Sequence, residues 1–144
     1  MASKSSRGVQ RPRVLVVDDE PLICDVLRMM LEDDHDVVTA TSGAQAQHVV
    51  DTEPPFDAIL CDLMMSGVSG IDLHAWLKST HPELVERVVY MTGGVYTALA
   101  QQFVDAIPNR FISKPLLWAT VQEAVRAVVN RSQGFESPAA QAEL

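Results

Sequence analysis

The sequence predicts a doubly wound α/β fold, a five-stranded parallel sheet with five helices divided between its two faces, and three observations carry that reading. Short apolar runs alternate with amphipathic segments five times along the chain. The runs are continuous rather than alternating apolar with polar, as strands covered on both faces require. The connections are short, which with right-handed crossovers gives a three-layer sandwich.

Val14-Leu15-Val16-Val17 is the first run, and it ends abruptly in Asp18, Asp19 and Glu20. Pro21 suits a helix first turn, and Leu22, Ile23, Val26, Leu27, Met30 and Leu31 repeat at the spacing of one helical face. An acidic loop around Asp33, Asp34 and Asp36 closes that helix. Val37 to Ala40 is expected as the second strand, and Ala44 to Asp51 as a helix after Ser42-Gly43. Pro54-Pro55 separates it from a third strand at Ala58 to Cys61, which Asp62 follows.

A loop with Ser66, Gly67 and Gly70 then leads into a helix from about Ile71 to Ser79. Val88 to Met91 is the fourth run, ended by Thr92-Gly93-Gly94. Leu99, Phe103 and Ala106 have helical spacing, Phe111-Ile112 reads as the fifth strand, and Leu117, Val121, Ala124, Val125 and Val128 as the inward stripe of the last helix. Ser113-Lys114-Pro115 lies between those two elements.

A folded domain over residues 12–131 is expected between a basic N-terminal arm, 1–11, and a C-terminal tail, 132–144, both without strong periodicity. With 144 residues and 47% hydrophobic side chains, the chain can bury a core without disulfides or a structural metal. The net charge of −8 argues against a nucleic-acid partner. The two cysteines show no metal-ligand spacing and fit a reducing cytoplasm, and no apolar run is long enough to span a membrane.

In open parallel sheets, ligands bind beyond the carboxyl ends of the strands. Those ends carry Asp18, Asp19 and Glu20, then Asp62, Thr92 and Lys114. If the strand order is 2-1-3-4-5, the first and third strands are neighbours, and Asp18, Asp19 and Asp62 would then crowd together with Lys114 as the nearby cation. Carboxylates that close call for a metal, and hard oxygen donors with room for waters suit Mg²⁺. A carboxylate so placed can attack phosphorus without a general base, while Lys114 neutralises a phosphoryl oxygen and Thr92 donates a hydrogen bond.

These residues resemble the receiver domain of two-component response regulators. The likeness rests on Val16-Val17-Asp18-Asp19-Glu20-Pro21, Cys61-Asp62-Leu63-Met64-Met65, Gly70-Ile71-Asp72-Leu73, Met91-Thr92-Gly93 and Ser113-Lys114-Pro115, in order and at matching spacing. It implies a flavodoxin-like receiver fold with Asp62 as phosphoacceptor, Asp19 as a direct Mg²⁺ ligand, Asp18 as a ligand largely through water and the Met64 backbone carbonyl as a further ligand. It also implies Thr92 and Phe111 as the switch pair, a cis Lys114-Pro115 bond, and a changing helix 4, strand 5, helix 5 face that allows a homodimer. The partners implied are a histidine kinase or histidine phosphotransfer protein and a downstream protein, with no direct nucleic-acid or membrane binding. The resemblance further implies that the chain catalyses its own modification without being a conventional turnover enzyme.

Ser66 stands where the family usually has proline, and Thr92-Gly93-Gly94 is similar to receivers attached to hybrid sensor kinases. Met64, Gly93 and Gly94 offer no acid or amide to hydrolytic water, so slow loss of the phosphoryl group is expected. A non-phosphorylated pseudo-receiver is the main alternative, and the intact set of Asp18, Asp19, Asp62, Thr92 and Lys114 argues against it. An Asp-nucleophile phosphatase would need an Asp-x-Asp motif, and a flavin binder a hydroxyl-rich first loop. His35, His48, His74 and His81 lack metal-ligand spacing. Trp118 is a candidate for a partner-binding face.

Overall fold

The computed structural model describes residues 11–93 and 97–134, so most of the N-terminal arm, Gly94 and most of the C-terminal tail lie outside the described residues. The strands are β1 (Arg13–Val17), β2 (Asp36–Ala40), β3 (Ala58–Asp62), β4 (Val88–Thr92) and β5 (Phe111–Ser113). The helices are α1 (Pro21–Leu31), α2 (Gly43–Thr52), α3 (Gly70–Thr80), α4 (Ala98–Ala106) and α5 (Trp118–Ser132). Among the described residues all five strands are parallel, in the order β2-β1-β3-β4-β5, which is the order expected.

Strand parity divides the apolar residues between two cores. Val14 and Val16 of β1, Ala58 and Leu60 of β3, and Val89 and Met91 of β4 face α1 and α5, meeting Leu27, Leu31, Val121 and Val125. Leu15 and Val17, Ile59 and Cys61, and Val88 and Tyr90 face α2, α3 and α4, meeting Val50, Leu73, Leu77 and Ala100. The continuous apolar runs follow from this two-sided burial. Truncating a fully buried member such as Leu27 to alanine is expected to cost about 2–5 kcal/mol, from lost transfer energy and the cavity left behind.

Element ends follow their caps. Ser42 Oγ accepts from the Gln45 amide at 3.0 Å and starts α2 at Gly43, one residue before the expected start. Ser69 and Asp72 form a reciprocal capping box, so α3 begins at Gly70. Asp36, placed in a loop by its charge, opens β2, and Asp62 and Thr92 are the last residues of their strands rather than the residues beyond them. A short 3₁₀ helix, Pro82–Arg87, was not foreseen; it buries Leu84 before β4.

Four apolar side chains are not in the core as their helical spacing predicts, the exposed Ala106 of α4 and three leucines. Leu22, Leu99 and Leu117 are 72%, 65% and 65% exposed. Leu22 and Leu99 lie in the first turns of α1 and α4, and Leu117 is the N-cap residue of α5. These turns overhang the carboxyl edge of the sheet, where no strand remains beneath them. The inward stripe of α4 is Ala100, Phe103, Val104 and Ile107 rather than Leu99, Phe103 and Ala106.

Candidate functional site

The site is built by register. Val17 pairs with Cys61, Asp62 with Met91, and Met91 with Ile112. One step past Val17, Asp18 therefore stands level with Asp62. Asp18 shares the parity of Val16, Asp62 that of Leu60, and Lys114 that of Ile112, so all three side chains leave the sheet on the α1 and α5 side.

Lys114 Nζ donates to Asp18 Oδ2 at 2.9 Å and to Asp62 Oδ2 at 3.4 Å, with Glu20 Oε1 at 3.9 Å. Asp18 is fully buried and Asp62 nearly so. Each carboxylate is also held by the backbone: the Glu20 amide donates to Asp18 Oδ1 at 2.9 Å, and the Met64 amide to Asp62 Oδ1 at 3.2 Å. Asp19, by contrast, is exposed at the mouth of the site.

Electrostatics match this crowding. Burial pushes the Asp62 carboxyl above its ordinary range, and the negative charge of Asp18 pushes the same way against Lys114 and the Met64 amide. Burial pulls the Lys114 ammonium down, but its hydrogen bond to Asp18 and the charges of Asp62 and Asp18 outweigh that and hold it above its ordinary value.

Asp18, Asp19 and Asp62 each present an oxygen, and these oxygens lie within 4.8 Å of one another. Three hard oxygen donors facing one ammonium leave uncompensated negative charge, and the donor set fits a divalent cation such as Mg²⁺.

Two predicted residues stand apart from this group. Thr92 has the parity of Val88 and Tyr90, so its side chain leaves on the opposite side, where its hydroxyl donates to the Ile112 carbonyl at 3.5 Å. Phe111 is directly paired with Tyr90 across the sheet, and their rings stack at 5.5 Å. The Lys114-Pro115 peptide bond is cis, as expected.

The loop from Asp62 to α3 is shaped by glycine. Gly67 has φ +72°, a conformation that favours glycine, and a Cβ on Gly70 would lie 2.8 Å from both the Asp62 carbonyl oxygen and Leu63 Cα. Leu117 and Trp118, at 65% and 51% exposure, lie on the same rim as Leu22, Leu99 and the 46% exposed Met64. Leu117 is therefore not the inward residue its spacing suggests, and both side chains face outward.

Sequence reasoning placed Glu20 at this edge without a role and missed Cys24. Glu20 approaches Lys114, and the Cys24 thiol donates to the Asp18 carbonyl at 3.4 Å, holding the end of β1 from below. Glu20 was visible as the third acid of the strand-end run; Cys24 carried no signal beyond its place in an amphipathic segment.

The family model for the response regulator receiver domain matches residues 14–126. The transcriptional regulatory protein KdpE of Mycobacterium tuberculosis is 32% identical over 120 residues, 83% of this chain and 51% of KdpE. This chain thus spans about half the length of that relative. An adenylate cyclase structure from Rhodopirellula baltica superposes with a TM-score of 0.76 at 26% identity, over 86% of this chain and 91% of that one. A response regulator receiver domain from Clostridium thermocellum, 24% identical with a TM-score of 0.71, shares the fold over 85% of this chain and 97% of its own.

Proposed function

Because the chain belongs to the response regulator receiver domain family, we propose that it accepts a phosphoryl group on Asp62 from a histidine kinase or histidine phosphotransfer protein and signals through the resulting change of conformation. The observation that supports this most is the buried Asp62 carboxylate beside Asp18, with Lys114 bonded to both and Asp19 at the entrance.

An Asp62 carboxylate oxygen attacks phosphorus in line with the phosphoramidate bond of the donor histidine. The new O–P bond forms as the P–N bond breaks, and the electron pair returns to the donor imidazole. Asp18, Asp19, Asp62 and the Met64 carbonyl would hold Mg²⁺, which when bound neutralises charge on the phosphoryl oxygens. Lys114 turns its ammonium from Asp18 toward a phosphoryl oxygen as a point charge. The Thr92 hydroxyl leaves Ile112 to donate to another, and Phe111 follows into the space it vacates. The α4, β5, α5 face is thereby altered for a downstream protein.

A protein donor is favoured by the apolar rim of Leu22, Met64, Leu99, Leu117 and Trp118 around an acidic centre. Among the described residues no helix is long and apolar enough to cross a membrane. The two free cysteines, both buried, are consistent with the cytoplasmic placement that the proposal includes.

The test is incubation with Mg²⁺ and acetyl phosphate, or with beryllofluoride, alongside Asp62→Asn. The native chain is expected to gain one phosphoryl group and Asp62→Asn none. A native chain that gains none under any Mg²⁺ concentration, yet binds a partner, is an interaction module and not a phosphoacceptor.

A further inference from the structure

The Tyr90 ring is wholly buried on β4 and makes three distinct contacts. Phe111 stacks on it at 5.5 Å and 26°, and Phe103 of α4 meets it edge-on at 5.4 Å. Its hydroxyl lies 2.8 Å from Nδ1 of His74 on α3. The His74 ring also meets Phe103 edge-on, at 5.0 Å. Phe103 is thus gripped from two sides, and it matters to α4 because Ala100 is that helix's one buried residue.

The hydrogen bond has a defined direction. Among the described residues, His74 Nδ1 is the group with which the Tyr90 hydroxyl pairs. Were Nδ1 to carry a proton, the buried Tyr90 O–H would have no acceptor, so the neutral imidazole holds its proton on Nε2 and accepts at Nδ1. The charged form of His74 is disfavoured by burial and by Lys78 one turn along α3, which keeps Nδ1 an acceptor.

We propose that His74 is a positioning residue of the conformational switch: by accepting from Tyr90 it fixes the ring on which Phe111 stacks and against which Phe103 seats α4. The proposal rests on the reading of Phe111 as the moving aromatic given above. It ties α3, which leads away from the Asp62 loop, to the α4 and β5 face through one buried hydrogen bond. Without that bond the Tyr90 ring tips more freely, and the balance between inward and outward Phe111 changes.

The experiment uses the full chain with its phenylalanines replaced by 4-fluorophenylalanine, in the resting state without phosphodonor. The Phe111 resonance is assigned by its loss in Phe111→Leu, and its H₂O/D₂O shift reports exposure. Tyr90→Phe, which keeps the ring and in this labelling carries at position 90 a fluorine that cannot donate and adds one resonance of its own, and His74→Leu are expected to change the Phe111 inward-to-outward ratio about fivefold, the effect of one net hydrogen bond. His74→Asn, whose side-chain oxygen can reach the Nδ1 position, is expected to restore the native signal. A purely structural role would lower the melting temperature and leave the Phe111 signal where it is. An unmoved Phe111 signal in folded Tyr90→Phe overturns the proposal. Failure of acetyl phosphate uptake in the native chain rejects the function proposed above, but leaves this resting-state readout decisive.

Discussion

Lys114 lies closer to Asp18, at 2.9 Å, than to the proposed acceptor Asp62, at 3.4 Å. One ammonium thus serves two buried carboxylates from neighbouring strands, and it is pledged chiefly to the one that does not carry the phosphoryl group. The resting site holds more negative charge than it can neutralise, and several consequences can be measured.

Replacing Asp62 with asparagine should stabilise the metal-free fold. The Asp62 carboxyl is raised by burial and by Asp18. A group whose pKa is higher in the folded state contributes stability below its unfolded value and loses it as pH rises through the folded value. At neutral pH the native chain therefore carries a penalty that Asp62→Asn lacks, on the order of 1 kcal/mol or about 3 °C in Tm. Thermal melts in EDTA should show this gap at neutral pH and its closure toward about pH 4. A less stable variant at neutral pH would contradict it.

Magnesium should raise the melting temperature of the native chain, by about 2.7 kcal/mol of stability at one hundred times its dissociation constant. Asp19 is exposed and makes little of the fold, so Asp19→Asn should keep the metal-free Tm and lose most of that increment. Equal Mg²⁺ gains in both proteins would remove Asp19 from the ligand set.

Lys114→Ala should slow acetyl phosphate uptake by about 10²-fold, the usual scale for removing one preorganised charge from the reacting group. Lys114→Arg should not restore the rate, because a planar fork replaces a compact ammonium. A rate within twofold of native in either variant would show that Lys114 is no part of the transfer.

The phosphoryl group, once on Asp62, should be lost slowly. Met64 is 46% exposed beside it and offers hydrolytic water neither an acid nor an amide. Met64→Asn should shorten the lifetime several-fold when release of inorganic phosphate is timed. Loss within seconds from the native protein would be inconsistent with this reading.

His74 should make the fold sensitive to mild acid. Its pKa is lowered by burial and Lys78, so its contribution is present above its unfolded value, about 6.5, and is lost as pH falls toward the lowered folded value. Denaturation midpoints measured between about pH 7 and pH 5 should fall more steeply for the native chain than for His74→Asn. Parallel slopes would place the acid sensitivity elsewhere.

The sheet was legible because burial on two faces forces continuous apolar runs such as Val14 to Val17, and because strands in this order must end on one edge. The charged residues were legible for the same reason: Asp18, Asp19, Asp62 and Lys114 each stand at the end of a run. Helix ends could be read only approximately, since Ser42 and Ser69 act as caps through backbone geometry that spacing does not reveal. Leu22, Leu99 and Leu117 were misplaced because helical periodicity reports direction around an axis but not where the sheet stops beneath it.

The sequence by itself determined the alternation of strands and helices, the two-sided core and the identity of the charged residues at the strand ends, since these follow from local pattern and connection length, whereas the strand order is a property of the folded sheet. Only the tertiary structure decided which charges touch. Register and parity bring Asp18, Asp62 and Lys114 out on one side of the sheet and send Thr92 to the other. The same pairing puts Phe111 on Tyr90, and packing of α3 gives the Tyr90 hydroxyl, among the described residues, its hydrogen-bond partner in His74, a histidine that spacing alone left without a role.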